Sequence, residues 1–203
     1  MNGSVARQGF SRVLIANRGE IALRAVRACH RLGLEAVTVH SQADRDSPHV
    51  WAADRSVCIG PAPSARSYLA TPALLHTAIH TCCDAVYPGY GFLAENAGFA
   101  EACAAQGLKF IGPCVQTIQM MGDKARAREE AERFGVPVVP GSDGVFQSAD
   151  DARATAEVIG FPLLLKARSG GGGRGMRITT HAGEFSAAFS QARFFTRPHR
   201  QSW

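Results

Sequence analysis

Apolar and polar positions along this chain follow the short period of buried strands and the longer period of helices in turn, and the pattern changes character near residue 121. Val13-Leu-Ile-Ala16 is an uninterrupted apolar run, as a strand buried on both faces requires. From Ile21 to Leu32 the apolar residues Ile21, Leu23, Ala25, Val26, Cys29 and Leu32 recur at helical spacing. Arg24, Arg27 and Arg31 occupy the polar side. Gly33 ends that helix, and Ala36-Val-Thr-Val39 predicts a second strand, so residues 12–40 read as one β-α-β unit. The alternation continues. Strands are predicted at Ser56–Ile59, Ala85–Tyr87 and Lys109–Ile111, and helices from Thr71 to about His80 and from Glu95 to Gln106. Thr71 is expected as the N-cap of the first of these, with Pro72 in its first turn. Strands alternating with helices predict an α/β fold with a doubly wound parallel sheet over about residues 10–115.

Beyond Met121 the pattern is α+β. A charged helix runs from Gly122-Asp123-Lys124 to Phe134 and stops at Gly135; Val136–Pro140 is extended; a helix spans Asp150–Ile159. Strands Leu163–Lys166 and Met176–Thr179 flank a run of glycines, and Glu184–Arg193 starts another helix. Residues 194–203 follow neither period, with two adjacent Phe and a Pro, and read as an unstructured or non-native end.

Composition narrows the class. Apolar residues make up 46% and charged residues 19%, as in a globular protein. No stretch reaches the ~20 apolar residues of a membrane span, and the N-terminus lacks the apolar core of a signal peptide. A cytoplasmic location is the expectation. The net charge of +5 is not spread over a domain. Residues 167–203 hold six arginines and a single acid, Glu184, which accounts for the whole surplus. A nucleic-acid partner is therefore not expected, since it needs a basic face on a recognisable binding fold. The six cysteines form no C-x-x-C pair, and most read as small buried hydrophobes in a reducing compartment. His76 and His80 stand four residues apart on a predicted helix. No Glu lies between them as in H-E-x-x-H, and a solvated or capping pair is preferred to a metal pair.

Three segments carry candidate chemistry. The first β-α turn, Ala16-Asn-Arg-Gly-Glu-Ile-Ala22, stands where a dinucleotide fold places G-x-G-x-x-G, but Gly19 is its only glycine. That use is not expected; Arg18 and Glu20 are either functional or parts of a helix N-terminus favoured by the dipole. Tyr87-Pro-Gly-Tyr-Gly-Phe-Leu-Ala-Glu-Asn96 follows a strand at the sheet's carboxyl edge. Two tyrosines and a Phe beside its glycines favour a functional reading over a purely structural turn. The third is Lys166-Ala-Arg-Ser-Gly-Gly-Gly-Gly-Arg-Gly-Met176. A P-loop needs its lysine after the glycines and a helix next; here the lysine precedes them and a strand follows. A flexible linker does not sit between two apolar strands. A hairpin flap over phosphates remains, its N–H groups and Arg174 donating to anionic oxygens and Lys166 within reach.

Taken together these segments resemble the biotin carboxylase family: I-A-N-R-G-E-I-A at 15–22, H-S-x-A-D-R-D at 40–46, I-G-P-A-P-S at 59–64, Y-P-G-Y-G-F-L-A-E-N at 87–96, F-I-G-P at 110–113, M-G-D-K at 121–124, V-P-x-V-P-G-S-D at 136–143 and K-A-x-x-G-G-G-G-R-G-M at 166–176. The resemblance covers about residues 11–193 and implies a Rossmann-like pre-ATP-grasp domain (10–122) followed by a partial ATP-grasp lid subdomain (123–193). It implies ATP-contacting roles for Lys124 and Lys166, loop glycines Gly171, Gly172 and Gly173 with Arg174 over the phosphates, and Met176 near adenine. The implied reaction phosphorylates bicarbonate with ATP and transfers the carboxyl group to the ureido nitrogen of biotin, with Mg2+ or Mn2+ as the metal. The biotin rides on a biotin carboxyl carrier protein or domain, a carboxyltransferase is the further partner, and a homodimer is compatible with the family.

Arg168 and Ser169 depart from the pattern, where a small residue and a glycine are usual. The family's magnesium-binding glutamates, bicarbonate-binding residues and remaining adenine contacts are expected beyond residue 203, and the catalytic residues with them. One carboxylate after Lys166 does not hold a metal pair. The expectation is an N-terminal fragment of a ligase that does not turn over. The rival expectation is a non-catalytic module that pairs with an intact carboxylase subunit. The final acyl acceptor is not legible.

Overall fold

The computed structural model describes residues 9–142, 145–166 and 175–194, the side chains of Lys124, Ala125 and Phe194 excepted. The chain divides into two compact units, residues 1–122 and 123–203.

The first unit is built on five strands: β1 (Arg12–Ile15), β2 (Glu35–Ser41), β3 (Arg55–Gly60), β4 (Ala85–Tyr87) and β5 (Lys109–Phe110). All pair in parallel, in the order β3-β2-β1-β4-β5. The connecting helices are α1 (Gly19–Arg31), the short α2 (Pro48–Ala52), α3 (Thr71–His80) and α4 (Ala97–Ala105), and α5 (Val115–Gly122) follows β5. Side-chain alternation along β1 explains why both faces need helices. Val13 and Ile15 pack with Ala22, Ala25, Val26 and Cys29 of α1. Leu14 and Ala16 point the other way, into a cluster with Leu74 and Ala78 of α3 and Phe99 and Cys103 of α4. The register preserves this division, because Val13 sits beside Ala36 and Ala85, and Leu14 beside Val37 and Val86. Leu14, Val37 and Val86 are fully buried, each contributing roughly 1.5–3 kcal/mol of burial.

Two details differ from the sequence reading. The N-cap of α3 is Ala70, with no side-chain bond, and Thr71 is the first helical residue. Pro72 needs no N–H there, so the helix starts without a capping hydroxyl. Of the cysteines, only Cys29, Cys83 and Cys103 are buried; Cys58, Cys82 and Cys114 are exposed, and all six are free.

Carboxylates pin the amino-terminal edge of the sheet. Asp84 Oδ2 accepts bonds from Ser11 N (2.7 Å), Ser11 Oγ (2.8 Å) and Arg12 N (2.9 Å), tying β4 to the start of β1. Asp54 Oδ2 accepts from Ala36 N (2.7 Å) and lies 2.9 Å from His30 Nε2. The backbone donors hold both carboxyls below their ordinary range. A depressed folded-state pKa stabilises above the unfolded value, about 4, and that contribution disappears as pH falls through the folded values. This unit is therefore expected to lose stability on acidification from about pH 5 downward. In urea titrations, Asp84→Asn is expected to be less stable than the parent at pH 7 and to converge on it below pH 3; an equal gap at both pH values would contradict this role.

The second unit contains α6 (Lys124–Arg133), α7 (Ala149–Ile159), the antiparallel pair β6 (Leu163–Lys166) and β7 (Met176–Thr179), and α8 (Ala182–Phe194). Its core is small: Ala152 and Ala156 of α7 and Phe185 and Phe189 of α8 close on Phe161, Leu163 and Leu165. Ser148 caps α7, its hydroxyl accepting from Asp151 N at 3.1 Å.

Candidate functional site

The strand order of the first unit reverses direction between β1 and β4. In open parallel sheets the crevice at such a switch point, beyond the carboxyl ends of the strands, is where ligands bind. Here the two loops that frame it are bonded to each other. Ala16 N donates to Tyr87 O at 2.9 Å. Asn17, fully buried, donates from Nδ2 to Pro88 O (2.7 Å) and Tyr90 O (2.9 Å), and its Oδ1 accepts from Arg18 N (2.8 Å). Gly89, at φ +67°, makes this closeness feasible: a Cβ there would stand 2.6 Å from Ile21 Cγ2 and 3.1 Å from Asn17 Nδ2. The two loops that frame the switch point are thus tied to each other through the Asn17 amide, packed against Gly89.

Arg18 and Glu20 stand at the N-terminus of α1, Glu20 in the first turn where the helix dipole favours an acid. Arg18 is itself the N-cap residue of α1, and no side chain caps that end. Its guanidinium lies 3.4 Å from Asp44 Oδ1 and over the Tyr68 ring, 5.8 Å from its centroid. Glu20, in the first turn, accepts from the Tyr90 hydroxyl at 3.3 Å. Asp44 is the hub of this corner: its Oδ2 accepts from Tyr68 Oη (2.6 Å) and Ser41 Oγ (2.9 Å). Burial pushes the Asp44 carboxyl up, but the bonds from Tyr68 and Ser41 and the Arg18 charge outweigh it and hold the pKa below its ordinary value. Burial, then the Asp44 carboxylate, push the Tyr68 phenol up to about 12. Tyr68 stacks on Phe92, centroids 5.0 Å apart, so the corner also braces the Tyr87–Asn96 loop. Asn96 caps α4, its side chain accepting from Phe99 N at 2.8 Å. Tyr90 remains 64% exposed, which leaves its ring free of a packing role.

In the second unit, Leu163 and Leu165 turn into the core. The alternation then puts Leu164 and Lys166 on the opposite, exposed face. Lys166 is paired across the ladder with Met176, and Leu164 with Ile178, so these four side chains share one face. Leu164 is 48% exposed, Met176 39% and Ile178 71%. The outer face of this hairpin is thus an apolar strip with a cation at the end where the glycine run departs. Gly171, Gly172, Gly173 and Arg174 lie outside the described residues. Lys124 is the first residue of α6, and its side chain is likewise not described.

Glu184, the single acid beyond Lys166, is engaged locally. Its Oε2 accepts from Thr180 N (3.3 Å) and Thr180 Oγ1 (3.0 Å), and Oε1 lies 3.3 Å from His181 Nε2. The Thr180 bonds and the His181 charge lower its pKa. It serves the start of α8 and does not face the hairpin's loop end as a free ligand. Among the described residues no group of three or more His, Cys, Asp or Glu is arranged to hold a metal ion, and no helix is long and apolar enough to cross a membrane.

Asn17, Asp44 and Tyr68 were not singled out from sequence. Asn17 and Asp44 lie inside the recurrent motifs, but their partners are distant in the chain: Asn17 bonds to residues 71 and 73 positions away, Asp44 to one 24 away.

Comparison with known proteins agrees with the two-unit organisation. Residues 9–118 match the biotin carboxylase N-terminal domain, and residues 123–199 the ATP-binding domain of the carbamoyl-phosphate synthase large chain. The chain is 51% identical over 185 residues to the chloroplastic biotin carboxylase of Arabidopsis thaliana, covering 91% of this chain and 34% of that protein. It is 54% identical over 170 residues to the biotin carboxylase of Pseudomonas aeruginosa, covering 83% and 38%. Among solved structures, a biotin carboxylase from Campylobacter jejuni in a β,γ-ATP complex superposes with a TM-score of 0.87 at 47% identity, covering 92% of this chain and 42% of that one. The biotin carboxylase domain dimer of the Hydrogenobacter thermophilus 2-oxoglutarate carboxylase, with MgADP, ADP and bicarbonate, gives 0.83 at 44% identity, covering 93% and 42%. The chain spans 34% to 38% of the length of the two curated relatives named. With a parallel α/β sheet unit followed by part of an ATP-grasp domain, and more than half its length matched by the N-terminal domain model, this chain belongs to the biotin carboxylase family.

Proposed function

We propose that this chain supplies the N-terminal sheet domain and the ATP-covering lid of a biotin carboxylase, an ATP-dependent ligase that carboxylates carrier-bound biotin with bicarbonate. The observation that carries the reading is the direct pairing of Lys166 with Met176 on the exposed face of the hairpin. An apolar strip ending in a cation suits a nucleotide, whose base is apolar on its faces and whose phosphates are anionic. In this reading Met176, with Leu164 and Ile178 beside it, packs on adenine. Lys166, Lys124, Arg174 and the N–H groups of Gly171, Gly172 and Gly173 neutralise the phosphates. ATP supplies the phosphoryl group that activates bicarbonate. The metal fits less well: Glu184 is committed to Thr180 and His181, so no step is assigned to Mg2+ on the described residues. By the same reading the partners are a biotin carboxyl carrier protein or domain and a carboxyltransferase, in a reducing compartment such as the cytoplasm.

The 203-residue chain is expected to bind ATP through the lid yet to show no bicarbonate-dependent ATP hydrolysis with free biotin above the blank. Lys166→Gln should weaken ATP binding, read by calorimetry, about ten-fold or more, as loss of one charge-assisted phosphate contact does. Unchanged affinity in Lys166→Gln would overturn the site, and turnover near that of a full-length enzyme would overturn the assignment of the chemistry to residues outside this chain.

A further inference from the structure

We propose that His49 is a proton-sensitive latch of the first unit: its neutral imidazole seats α2 against the sheet, and protonation opens residues 45–53 locally. The latch is independent of the nucleotide chemistry of the second unit. α2 has five residues, too few for a helix to hold itself. His49 is its one buried residue, at 0% exposure, so the seating of α2 rests mainly on that ring. His49 Nε2 stands 3.3 Å from Val39 O of β2. A carbonyl oxygen only accepts, so Nε2 carries the proton in that bond and Nδ1 keeps its lone pair. Nδ1 is buried and has no hydrogen-bond partner among the described residues. A second proton would therefore place a donor without an acceptor, and a charge, inside the fold. Both are unfavourable there, and the ring escapes both by moving out to water.

The groups around the ring do not reverse this. Arg18 at the start of α1 and His40 of β2 disfavour the cation. Asp44, in the 3-10 turn Gln42–Asp44, favours it, but that carboxylate is already engaged by Tyr68, Ser41 and Arg18. From β3, Arg55 is turned to Glu35 at 3.2 Å, and Arg45 and Asp46 beside α2 are exposed. Burial pushes the His49 imidazole pKa down and outweighs the Val39 bond and the Asp44 charge, which raise it. The seated form thus binds fewer protons than the open one. Its stability is complete above the open-state value, about pH 6.5, and is lost as pH falls from there through the folded value. The anchors at either end respond later. Asp44 and Asp54 both lie below the ordinary carboxylate range, so they stay ionised down to about pH 4. His30, on gaining a proton, strengthens its pair with Asp54. Between about pH 6.5 and 4 the middle of the connection is released while its ends hold. That uncovers part of the apolar cluster on which Ala52 and Ala53 pack.

The test uses the full 203-residue chain. NMR follows the His49 ring signals from pH 8 to 4.5, and hydrogen exchange of residues 45–53 is compared at pH 7.5 and 5 after correction for the intrinsic pH dependence of exchange. His49 is expected to titrate below the ordinary imidazole value. Protection of residues 45–53 should fall about ten-fold between the two pH values, with about thirty-fold as the ceiling set by an ordinary imidazole in the open state. Protection of α1 and β1 should hold. His49→Gln keeps an amide donor for Val39 O and takes up no proton, so its segment should be equally protected at both pH values. A His49 ring that titrates at or above about pH 6.5, equal protection of the parent segment at pH 7.5 and 5, or an equal fall in His49→Gln would each overturn the proposal. Should the variant not fold, the two measurements on the parent decide alone.

Discussion

Asn17→Asp is expected to lower the stability of the first unit by about 3–4 kcal/mol at pH 7, an effect at the upper end for a single change. The substitution keeps the side chain's shape and removes its two donors. The amide Nδ2 of Asn17 serves Pro88 O and Tyr90 O at 2.7 and 2.9 Å, in a fully buried position. A carboxylate oxygen in its place would face two carbonyl oxygens, leaving both without a donor and burying an unpaired charge. Each orphaned buried acceptor costs about 1–3 kcal/mol, and the charge adds to that. The sign of the pH response follows. Burial beside two acceptors raises the pKa of the new carboxyl, and its protonated form regains one donor. The deficit should therefore narrow as pH falls from 8 to 5, in the direction opposite to the Asp84-dependent acid loss of the parent. Urea unfolding followed by circular dichroism measures both. A variant as stable as the parent at pH 8 would show that the two loops are not held by this amide.

Gly60→Ala is the second large effect, expected at about 3 kcal/mol from backbone strain and clash together. Gly60 closes β3 at φ +144°, a conformation that residues with a Cβ rarely adopt. A Cβ built there would lie 2.3 Å from the main-chain oxygen of Arg66. That oxygen cannot swing aside as a side chain would. It belongs to the 3-10 turn Ser64–Arg66, which leads directly into the buried Ser67 and Tyr68. Moving it displaces Tyr68, and with it the bond to Asp44 and the stack on Phe92. The variant should unfold at lower urea, with its near-ultraviolet tyrosine signal altered before global unfolding. A loss under about 1 kcal/mol would mean that the 60–68 connection yields more readily than a packed core does.

The elements that were legible in the sequence are those with enough residues to display a period. β1, α1, β2, α3, α4 and the β6–β7 hairpin all fall within a few residues of where their apolar spacing puts them. α2 went unread because it has five residues and buries only His49, too few for an amphipathic pattern. α5 begins two residues after Pro113, and of its eight residues only Ile118 is buried. The exposed face of the hairpin in the second unit could be anticipated as well, since strand alternation places Lys166 and Met176 without reference to any distant residue. The corner built on Asp44 in the first unit could not. Arg18, Asp44, Tyr68 and Phe92 meet because β1 lies beside both β2 and β4, and nothing in the local spacing of any one of them encodes that neighbour relation.

By itself the sequence determined the element types, the change from a parallel α/β unit to an α+β one, and a glycine-rich flap preceded by a lysine. Each of these depends on side-chain periodicity or backbone freedom over a dozen residues or fewer. The tertiary structure alone decided the strand order, the tie between the two switch-point loops at Asn17 and Gly89, and the commitment of Glu184 to the start of α8. The first two follow from non-local pairing between segments up to about seventy residues apart, and the third from which donors the fold leaves within reach of a carboxylate.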